Sequence, residues 1–466
     1  MDIDEYLCAV TDQIRDKYAK VFVSDEIRTH IEEQASAYIN DGMNRDEAYS
    51  KAVVDMGDPV EVGAELDRIH RPHMEWKFLV IILLISLVSI AVNNLINGIM
   101  DGRFIFLGPV MVHISGSHFA GLVLGLIAMF AMYRADYTVM IGRSRAIGGI
   151  FLGILTLLFA LFGIDMNGDN WRMSVGSFVF SARPLYILYL PVFAGILYEY
   201  RCKNKMLISI GFWMIAPLIS MCLCSYFSIP VAVFMIISEI VLLMLAIYKR
   251  WYGFDKKNVF YGIGIVLLFA SVMMIFISTK VENYQIARIK TWLCNMGIVN
   301  HATDNSGGNY INAKLMEVFR KSDLIGQNYD AVHIMTNLPG YKDDLIIGTI
   351  SAYCGILAVA GIMISLFLLA VYIFYISAKQ KNQLGYIVGC ACGIIIFFQS
   401  LSNLLIVLGL LPLTESSLPF ISKGTGTMIV DYVLIGLVLS IYRYKDLRND
   451  KIVAKKARKD IFSLEI

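Results

Sequence analysis

The sequence has few charged residues for its length. Asp, Glu, Lys and Arg make up 17% of the 466 residues, whereas soluble domains contain about 25%. Hydrophobic residues make up 57%, and the mean hydropathy is +0.63. This composition argues against a set of soluble domains and indicates that most of the chain lies in lipid.

The sequence also lacks the usual signs of cysteine chemistry and of secretion. Most of its eight cysteines fall in apolar runs, where a thiol behaves as a small hydrophobic group. The two C-x-C pairs, Cys222/Cys224 and Cys390/Cys392, have no nearby histidine cluster. We therefore predict neither a zinc site nor a disulfide. The charged N-terminus has no apolar core of a signal peptide, so the first span must act as its own insertion signal.

Acidic and basic residues are unevenly distributed. Residues 1–76 contain 18 Asp and Glu against 8 Lys and Arg, a net charge of −10, and the rest of the chain has a net charge of +12. The basic residues lie in short loops between apolar runs, which favours a role in membrane topology over nucleic-acid binding. We predict three regions: a helical head (1–76), a membrane domain (77–443) and a basic tail (444–466).

The head has signals for several short helices. Ser24 and Asn44 are candidate N-caps, and Asp58-Pro59 is typical of a helix start. The stretch from Ile39 to Leu66 resembles the permease-prefix domain, a cytoplasmic helical module found ahead of many bacterial membrane proteins. The resemblance covers about 70 residues and leaves two roles open: docking or regulation, and a folded cap that aids insertion or stability.

Ten segments are long and apolar enough to cross a membrane, which takes about 20 residues. They are 78–97, 110–133, 146–164, 184–200, 206–225, 228–248, 258–279, 345–377, 384–410 and 426–443. Lys and Arg are concentrated in the loops that share a side with the head, and the positive-inside rule then places both termini in the cytoplasm. The sequence predicts an all-α polytopic membrane protein.

One loop is much longer than the others and falls on the outside. It covers residues 280–344, between the seventh and eighth spans. Residues 291–299 and 311–319 have an apolar periodicity that predicts short helices lying on the membrane, with Gly307-Gly308 between them. Since loops of this length are usually functional or disordered, we expect external chemistry or a partner there.

Three stretches resemble motifs of the FtsW/RodA/SpoVE family of shape, elongation, division and sporulation proteins. The first runs from Tyr284 to Leu293, the second is Leu338-Pro-Gly-Tyr-Lys-Asp-Asp344, and the third extends from Gln399 through Asn403 to Gly424. The third is the most specific, because order and spacing hold across 26 positions. The resemblance is strong over 280–443 and weak over 77–279.

The resemblance implies a multi-pass protein of the bacterial cell membrane that polymerises lipid II into peptidoglycan at the outer face. It also implies a class B penicillin-binding protein as partner, besides lipid II and membrane lipids. The essential aspartate of the family falls on Asp344. A carboxylate suits this reaction because a base must take the proton from the attacking sugar hydroxyl. Asp343-Asp344 before an apolar run is also an ordinary helix cap.

The lipid pyrophosphate leaving group needs a cation to balance its charge, and a divalent ion such as Mg or Mn could serve. The residues considered for substrate binding are Arg288, Lys290, Lys342, Arg183, Gln399, Asn403 and Ser422. No metal ligands are assigned. Gln399 and Asn403 lie one turn apart, so they could instead hydrogen-bond a neighbouring helix.

The sequence departs from the family at the fourth span, where a Glu and a Lys thought to face the essential aspartate become Pro184 and Ile187. Arg183 is adjacent and could provide the missing cation. A divergent enzyme and a non-catalytic scaffold or regulator of wall synthesis both fit this pattern.

A transporter is a weaker alternative, because polytopic bundles with midplane carboxylates often move ions or solutes. Glu239, near the middle of the sixth span, could be functional or simply protonated and hydrogen-bonded, and Asp431, in the outer part of the last span, could face the same cavity as Asp344.

Overall fold

The computed structural model describes residues 1–69, 74–100, 116–166, 169–175, 178–201, 207–224, 228–252, 264, 307–341, 344–411 and 416–445. Its chain forms two compact units. One contains Met1–Glu75, Gln380–Gly385 and Ile441–Ile466, and the other contains Trp76–Lys379 and Tyr386–Ser440. Helices dominate both units, which confirms the predicted fold class.

The smaller unit contains four helices of the head. They are α1 (Ile3–Gln13), α2 (Lys17–Asn40), α3 (Arg45–Asp55) and α4 (Pro59–Ile69). Their core includes Tyr6, Val10, Ile31 and Ala35, each fully buried, and Tyr444 packs against this core from the C-terminal segment of the same unit. Asp2 and Glu5 form a reciprocal capping box that satisfies backbone donors at the start of α1.

The predicted helix starts in the head have different outcomes. Asp58 accepts hydrogen bonds from the backbone N–H groups of Val60 (2.7 Å) and Glu61 (3.2 Å), which confirms the start of α4. Asn44 is the N-cap of α3, although its side chain makes no capping bond. The predicted start at Ser24 is wrong, because α2 runs through it from Lys17. Helix-forming neighbours on both sides override a local capping signal.

The larger unit contains the remaining helices, except for the first residues of α16 and the last residues of α17, which belong to the smaller unit. They are α5 (Trp76–Met100), α6 (Gly116–Arg134), α7 (Ser144–Phe162), α8 (Ala182–Ile187), α9 (Tyr189–Glu199), α10 (Leu207–Leu223), α11 (Ile229–Tyr248), α12 (Gly307–Lys321), α13 (Tyr329–Thr336), α14 (Ile346–Cys354), α15 (Ile356–Ala378), α16 (Gln383–Val407) and α17 (Thr425–Arg443). Within the described residues, six helices are long and apolar enough to cross a membrane, and two shorter apolar helices accompany them. The predicted span at 258–279 lies outside the described residues except for Gly264, so the total of ten remains a prediction.

A small antiparallel sheet joins α7 to α8. Its strands are β1 (Gly163–Met166), β2 (Asp169–Val175) and β3 (Phe178–Ser181), in the order β1-β2-β3. Arg172 pairs with Ile164 on one side and with Ser181 on the other. No strand is predicted between the spans 146–164 and 184–200, since strands of four to seven residues give only a weak periodic signal.

The predicted eighth span is two helices, because the chain breaks at Gly355. This residue ends α14 and begins α15 with φ +94° and ψ 168°. A segment of the long loop satisfies the backbone groups freed by the break. The N–H groups of Ile356 and Leu357 donate to the carbonyls of Asp323 (3.0 Å) and Leu324 (3.1 Å). Such bonds are required where an irregular backbone lies in a membrane protein.

Two further bonds join the loop segment to the end of α14. Gly326 N–H donates to the Cys354 carbonyl (3.2 Å), and Asn328 N–H donates to the Ala352 carbonyl (3.1 Å). A Cβ at Gly355 would lie 2.7 Å from the Leu324 carbonyl oxygen, so only glycine fits this approach. The break therefore fixes the long loop to the start of α15. We refer to the end of α15 at Gly355 as the loop end.

Candidate functional site

Asp344 lies in a turn just before α14. The turn is closed by the Leu345 N–H, which donates to the Gly340 carbonyl (3.1 Å), and Gly340 has a positive φ of +75°. The Thr349 hydroxyl reaches back from α14 to the Tyr341 carbonyl. The partly buried Asp344 side chain folds over Gly340, where an added Cβ would lie 3.7 Å from Oδ2. Its neighbours Lys342 and Asp343 lie outside the described residues.

Helix α14 places this turn in a rigid setting. Every residue from Ile346 to Tyr353 is buried, and the helix packs against α5, α12, α13 and α15. Gly348 allows close packing, because a Cβ there would lie 3.0 Å from Leu315 Cδ2 and 3.2 Å from Met335 Sδ. The N-cap position belongs to Leu345, one residue after Asp344. The prediction that Asp343 caps the helix falls on an undescribed residue.

Asn403 on α16 holds the main chain of Asp344. Its side-chain amide Nδ2 donates to the Asp344 carbonyl (3.1 Å) and also to the Ser416 carbonyl. Asn403 is completely buried, and its Oδ1 has no hydrogen-bond partner among the described residues. One turn earlier, the buried Gln399 likewise has an Oε1 without a partner in that part of the chain. The structure thus joins two of the predicted site residues, Asp344 and Asn403, through a backbone contact.

Ser416 leads into a buried turn that contains the predicted residue Ser422. The Ser422 hydroxyl oxygen accepts the Leu418 N–H (2.8 Å), and Phe420 adopts a positive φ of +63°. Asp431 Oδ2 accepts the Phe420 N–H (3.0 Å). An aromatic residue in the left-handed region is strained, so the surrounding contacts must hold it there.

The same turn is held from the first span by residues that the sequence analysis missed. The Ser89 hydroxyl donates to the Phe420 carbonyl (2.6 Å), and Asn93 Nδ2 donates to the Ile421 carbonyl (3.0 Å). Both positions are more than 300 residues from the turn, so local patterns do not connect them. The available signal is their spacing of four, which puts two polar groups on one face of an apolar helix.

Arg183 lies in a different group of helices. It belongs to α8, which packs mainly against α7, α9, α11 and β2. Tyr186, one turn later, hydrogen-bonds Ser220 (3.0 Å), which in turn contacts Thr156 (2.6 Å). Pro184 and Ile187 are buried in the same short helix. These contacts hold the helix of Arg183 against α7 and α10.

The remaining predicted cations, Arg288 and Lys290, lie outside the described residues, as Lys342 does. Within the described part of the chain there is no group of three or more His, Cys, Asp or Glu side chains that could hold a metal ion. The intramembrane Glu239 is fully buried, and neither carboxyl oxygen has a partner among the described residues. It lies on α11, with Ser238 as its sequence neighbour.

These features define a polytopic helical membrane protein in which a long loop packs on a broken span. The carboxylate of Asp344 lies just before α14, the first of the two helices on either side of the break. A family model described as "cell cycle protein", FTSW_RODA_SPOVE, matches residues 72–447. The chain belongs to the FtsW/RodA/SpoVE family.

Several relatives are named "probable peptidoglycan glycosyltransferase FtsW". The protein from Borreliella burgdorferi is 28% identical over 191 residues, which cover 41% of this chain and 50% of the relative. The protein from Enterococcus hirae is 36% identical over 104 residues, covering 22% and 26%. The chain thus spans half or less of these two relatives. A longer match, to the Idiomarina loihiensis protein, has 22% identity over 74% of this chain and 81% of the relative.

Solved structures share the fold. A chain from a peptidoglycan synthase complex, described for its coordination of polymerization and crosslinking, has a TM-score of 0.59 at 18% identity and covers 80% of this chain and 98% of its own. The rod shape determining protein RodA of Thermus thermophilus has a TM-score of 0.52 at 16% identity, with 80% and 97% covered. These likenesses show a RodA-like polytopic membrane fold.

Proposed function

We propose that this chain is a divergent peptidoglycan glycosyltransferase that polymerises lipid II at the outer face of the bacterial cell membrane. The observation that carries the proposal is the position of Asp344, whose main chain is held by Asn403 from a neighbouring span. Membership of a family with relatives named for this activity supports it. The product would serve cell wall synthesis in cell shape, division or sporulation.

In this mechanism, Asp344 is the catalytic base. Its carboxylate takes the proton from the 4-hydroxyl of the acceptor sugar while that oxygen attacks the anomeric carbon of the donor. The new C–O bond forms as the bond to the lipid pyrophosphate breaks, and the pyrophosphate leaves with the electron pair. Because the buried amide of Asn403 already fixes the backbone of the base, little further orientational freedom is lost on reaching the transition state, which favours catalysis.

The pyrophosphate would be neutralised by cations of the chain or by a divalent ion. Arg183, Arg288, Lys290 and Lys342 are the candidates, and Arg183 takes the place of the lysine replaced by Ile187. Mg²⁺ or Mn²⁺ could contribute charge if the pyrophosphate oxygens themselves supply most of the ligands. Gln399 and Ser422 are proposed to shape the substrate side, and Asn403 to position Asp344.

The proposed topology follows from the Lys and Arg bias. The head (1–76), the short loop that carries Lys379 and Lys381, and the basic tail (444–466) lie in the cytoplasm, and residues 280–344 lie outside. The outer location would let a class B penicillin-binding protein act on the new glycan strand. The similar chain from a peptidoglycan synthase complex supports such a partner.

A second candidate is a non-catalytic scaffold or regulator of wall synthesis with the same fold. The buried Pro184 and Ile187 favour it, because they stand where the family has an acid and a base. The head would then be the main functional contact on the cytoplasmic side. The two candidates differ in whether the protein polymerises lipid II with Asp344 as the catalytic base.

The test is polymerisation of labelled lipid II by the purified full-length protein, with and without a class B penicillin-binding protein. We expect polymer from the native chain, a loss of roughly 100-fold or more in Asp344→Asn, and normal activity in Asp330→Asn. Asp330 is a matched control, since it is an exposed carboxylate of the same loop. Absence of polymer both with and without the penicillin-binding protein would favour the scaffold. A requirement for Mg²⁺ or Mn²⁺ would support a divalent ion at the pyrophosphate, and activity in excess chelator would contradict it.

A further inference from the structure

The loop segment between α12 and α13 exposes two adjacent large apolar side chains. Leu324 is 68% exposed and Ile325 is 76% exposed. This exposure is unusual beside a helix such as α14, whose residues from Ile346 to Tyr353 are all buried. An exposed apolar pair in a fixed position marks an interaction surface.

The backbone of this segment is fixed against the helix break. Leu324 contributes its carbonyl to the Leu357 N–H, and Gly326 contributes its N–H to the Cys354 carbonyl. The main chain passes so near Gly355 that a Cβ there would lie 2.8 Å from Ile325 Cα. The two side chains are therefore held at the loop end of α15.

Helix α15 presents its own exposed apolar stripe below this point. The stripe consists of Leu357, Ile364, Leu368, Val371 and Tyr375, which are 52–62% exposed. With 23 residues and a mean hydropathy of 2.7, α15 is long enough to cross the roughly 30 Å hydrocarbon core without α14. Leu357 then lies at the boundary of that core. Leu324, whose carbonyl accepts the Leu357 N–H (3.1 Å), and its neighbour Ile325 lie at the same level.

The preceding turn carries basic side chains. Arg320 and Lys321 lie in the last turn of α12, four and three residues before Leu324. Arg320 is exposed, whereas Lys321 pairs with Glu317 (3.0 Å) and the exposed Asp323 directly precedes the apolar pair. Basic side chains beside an apolar tip favour a membrane surface, where anionic lipid headgroups attract them and the acyl region takes up the tip. The exposed apolar pair and its attachment to the start of α15 thus point to lipid as the occupant, and Arg320 is placed to meet a headgroup.

We infer that Leu324 and Ile325 insert into the lipid leaflet on the loop side and anchor the long loop to the membrane. The anchor fixes Gly355, and the nine residues of α14, roughly 14 Å of helix, connect that point to the turn of Asp344. The site would therefore sit at a set height above the membrane, which suits a lipid-linked sugar. That last consequence rests on the proposed function, whereas the lipid contact does not.

The test is photocrosslinking of the full-length protein in bacterial membranes with p-benzoylphenylalanine. It replaces Ile325 in the test variant, Leu368 as a lipid-facing control on α15, and Tyr329 as an exposed loop control, 80% exposed and four residues away. We expect phospholipid adducts by mass spectrometry at Ile325 and Leu368, and at least fivefold fewer at Tyr329. A protein adduct at Ile325, from a partner or a second copy, would overturn the inference.

A second measurement covers the case in which the bulky group disturbs the loop. The tryptophan emission of Ile325→Trp, minus that of the native protein, is measured in nanodiscs with and without phospholipids brominated near the headgroup. Quenching well above that of Tyr329→Trp supports insertion, and equal quenching of the two overturns it. Lipid II polymerisation by the same nanodiscs separates failure of the anchor from failure of the proposed function.

Discussion

Two groups of buried polar contacts hold the two parts of the proposed site. The Asp344 group consists of the turn before α14, Asn403, Ser416 and the buried turn 418–422, and it joins side chains to irregular backbone. The Arg183 group consists of α8 with Tyr186, Ser220 and Thr156, and it joins side chains to one another between regular helices.

The difference explains where the chain keeps the family pattern. An irregular backbone inside a membrane protein has donors and acceptors that only particular side chains can satisfy. Positions such as Asn403 in the Asp344 group are therefore restricted by the fold itself. Helices in the Arg183 group satisfy their own backbone, so substitutions such as Pro184 and Ile187 change chemistry with little effect on the architecture.

The largest effect on stability is expected for Gly355→Ala. The new Cβ would lie 2.7 Å from the Leu324 carbonyl oxygen, on a backbone with φ +94°. We expect a loss of about 3 kcal/mol or more in the free energy of unfolding, measured by thermal unfolding in detergent. Gly361→Ala, on the exposed face of α15, is the control, since nothing lies within 4 Å of its Cβ position. Equal effects of the two would show that the break is not rigid.

Asn403→Leu tests the link between Asp344 and Ser416. It removes the amide that donates to the partly buried Asp344 carbonyl and to the buried Ser416 carbonyl, so each acceptor loses this bond. We expect a loss of about 2–4 kcal/mol in stability and a fall in lipid II polymerisation. Gln399→Leu, one turn away with an unpartnered Oε1 among the described residues, should cost less than half as much. A larger loss of stability in Gln399→Leu than in Asn403→Leu would contradict the role of the Asn403 hydrogen bonds.

Asp431→Leu tests the buried turn 418–422. It leaves the Phe420 N–H without its acceptor, which should cost about 1–3 kcal/mol in unfolding free energy. Asp431→Asn keeps an oxygen for the same bond, so it should restore most of the stability. A variant with Asn that unfolds as early as the Leu variant would indicate that Asp431 acts by its charge.

Tyr186→Phe probes the Arg183 group and should have a smaller effect. It removes the hydroxyl that hydrogen-bonds Ser220, at a cost of about 1 kcal/mol, while the ring still fills its buried position. Thermal unfolding of the variant should shift less than that of Asn403→Leu. A larger shift would mean that hydroxyl contacts between regular helices restrict the sequence as strongly as contacts to irregular backbone.

Glu317→Gln should give the smallest effect, because this side chain on α12 is partly exposed to solvent and pairs with two surface lysines. Hydrogen bonds from Lys314 and then Lys321 lower the pKa of Glu317. The carboxylate therefore stabilises the folded loop above its unfolded pKa, and the contribution is lost as the pH falls through the lowered folded value. The difference in unfolding temperature between native and variant protein should be largest near neutral pH, vanish in acid and shrink with salt. A constant difference at all pH values would contradict this assignment.

Part of this architecture follows from the sequence and part does not. Apolar length predicts helices such as α7 and α11 well, and the motif spacing points to Asp344 and Asn403. The break at Gly355 was missed because its cause is a loop segment 30 residues away that supplies the hydrogen bonds. Ser89 and Asn93 were missed for the same reason, since their carbonyl partners lie across the bundle.

The most direct test of the central claim separates substrate binding from turnover at Asp344. Lipid II binding and polymer formation are measured on the same preparation of native protein and Asp344→Asn. A base that acts in the transition state predicts binding within about threefold of native and polymer reduced by roughly 100-fold or more. Polymer at the native rate from Asp344→Asn would contradict the account.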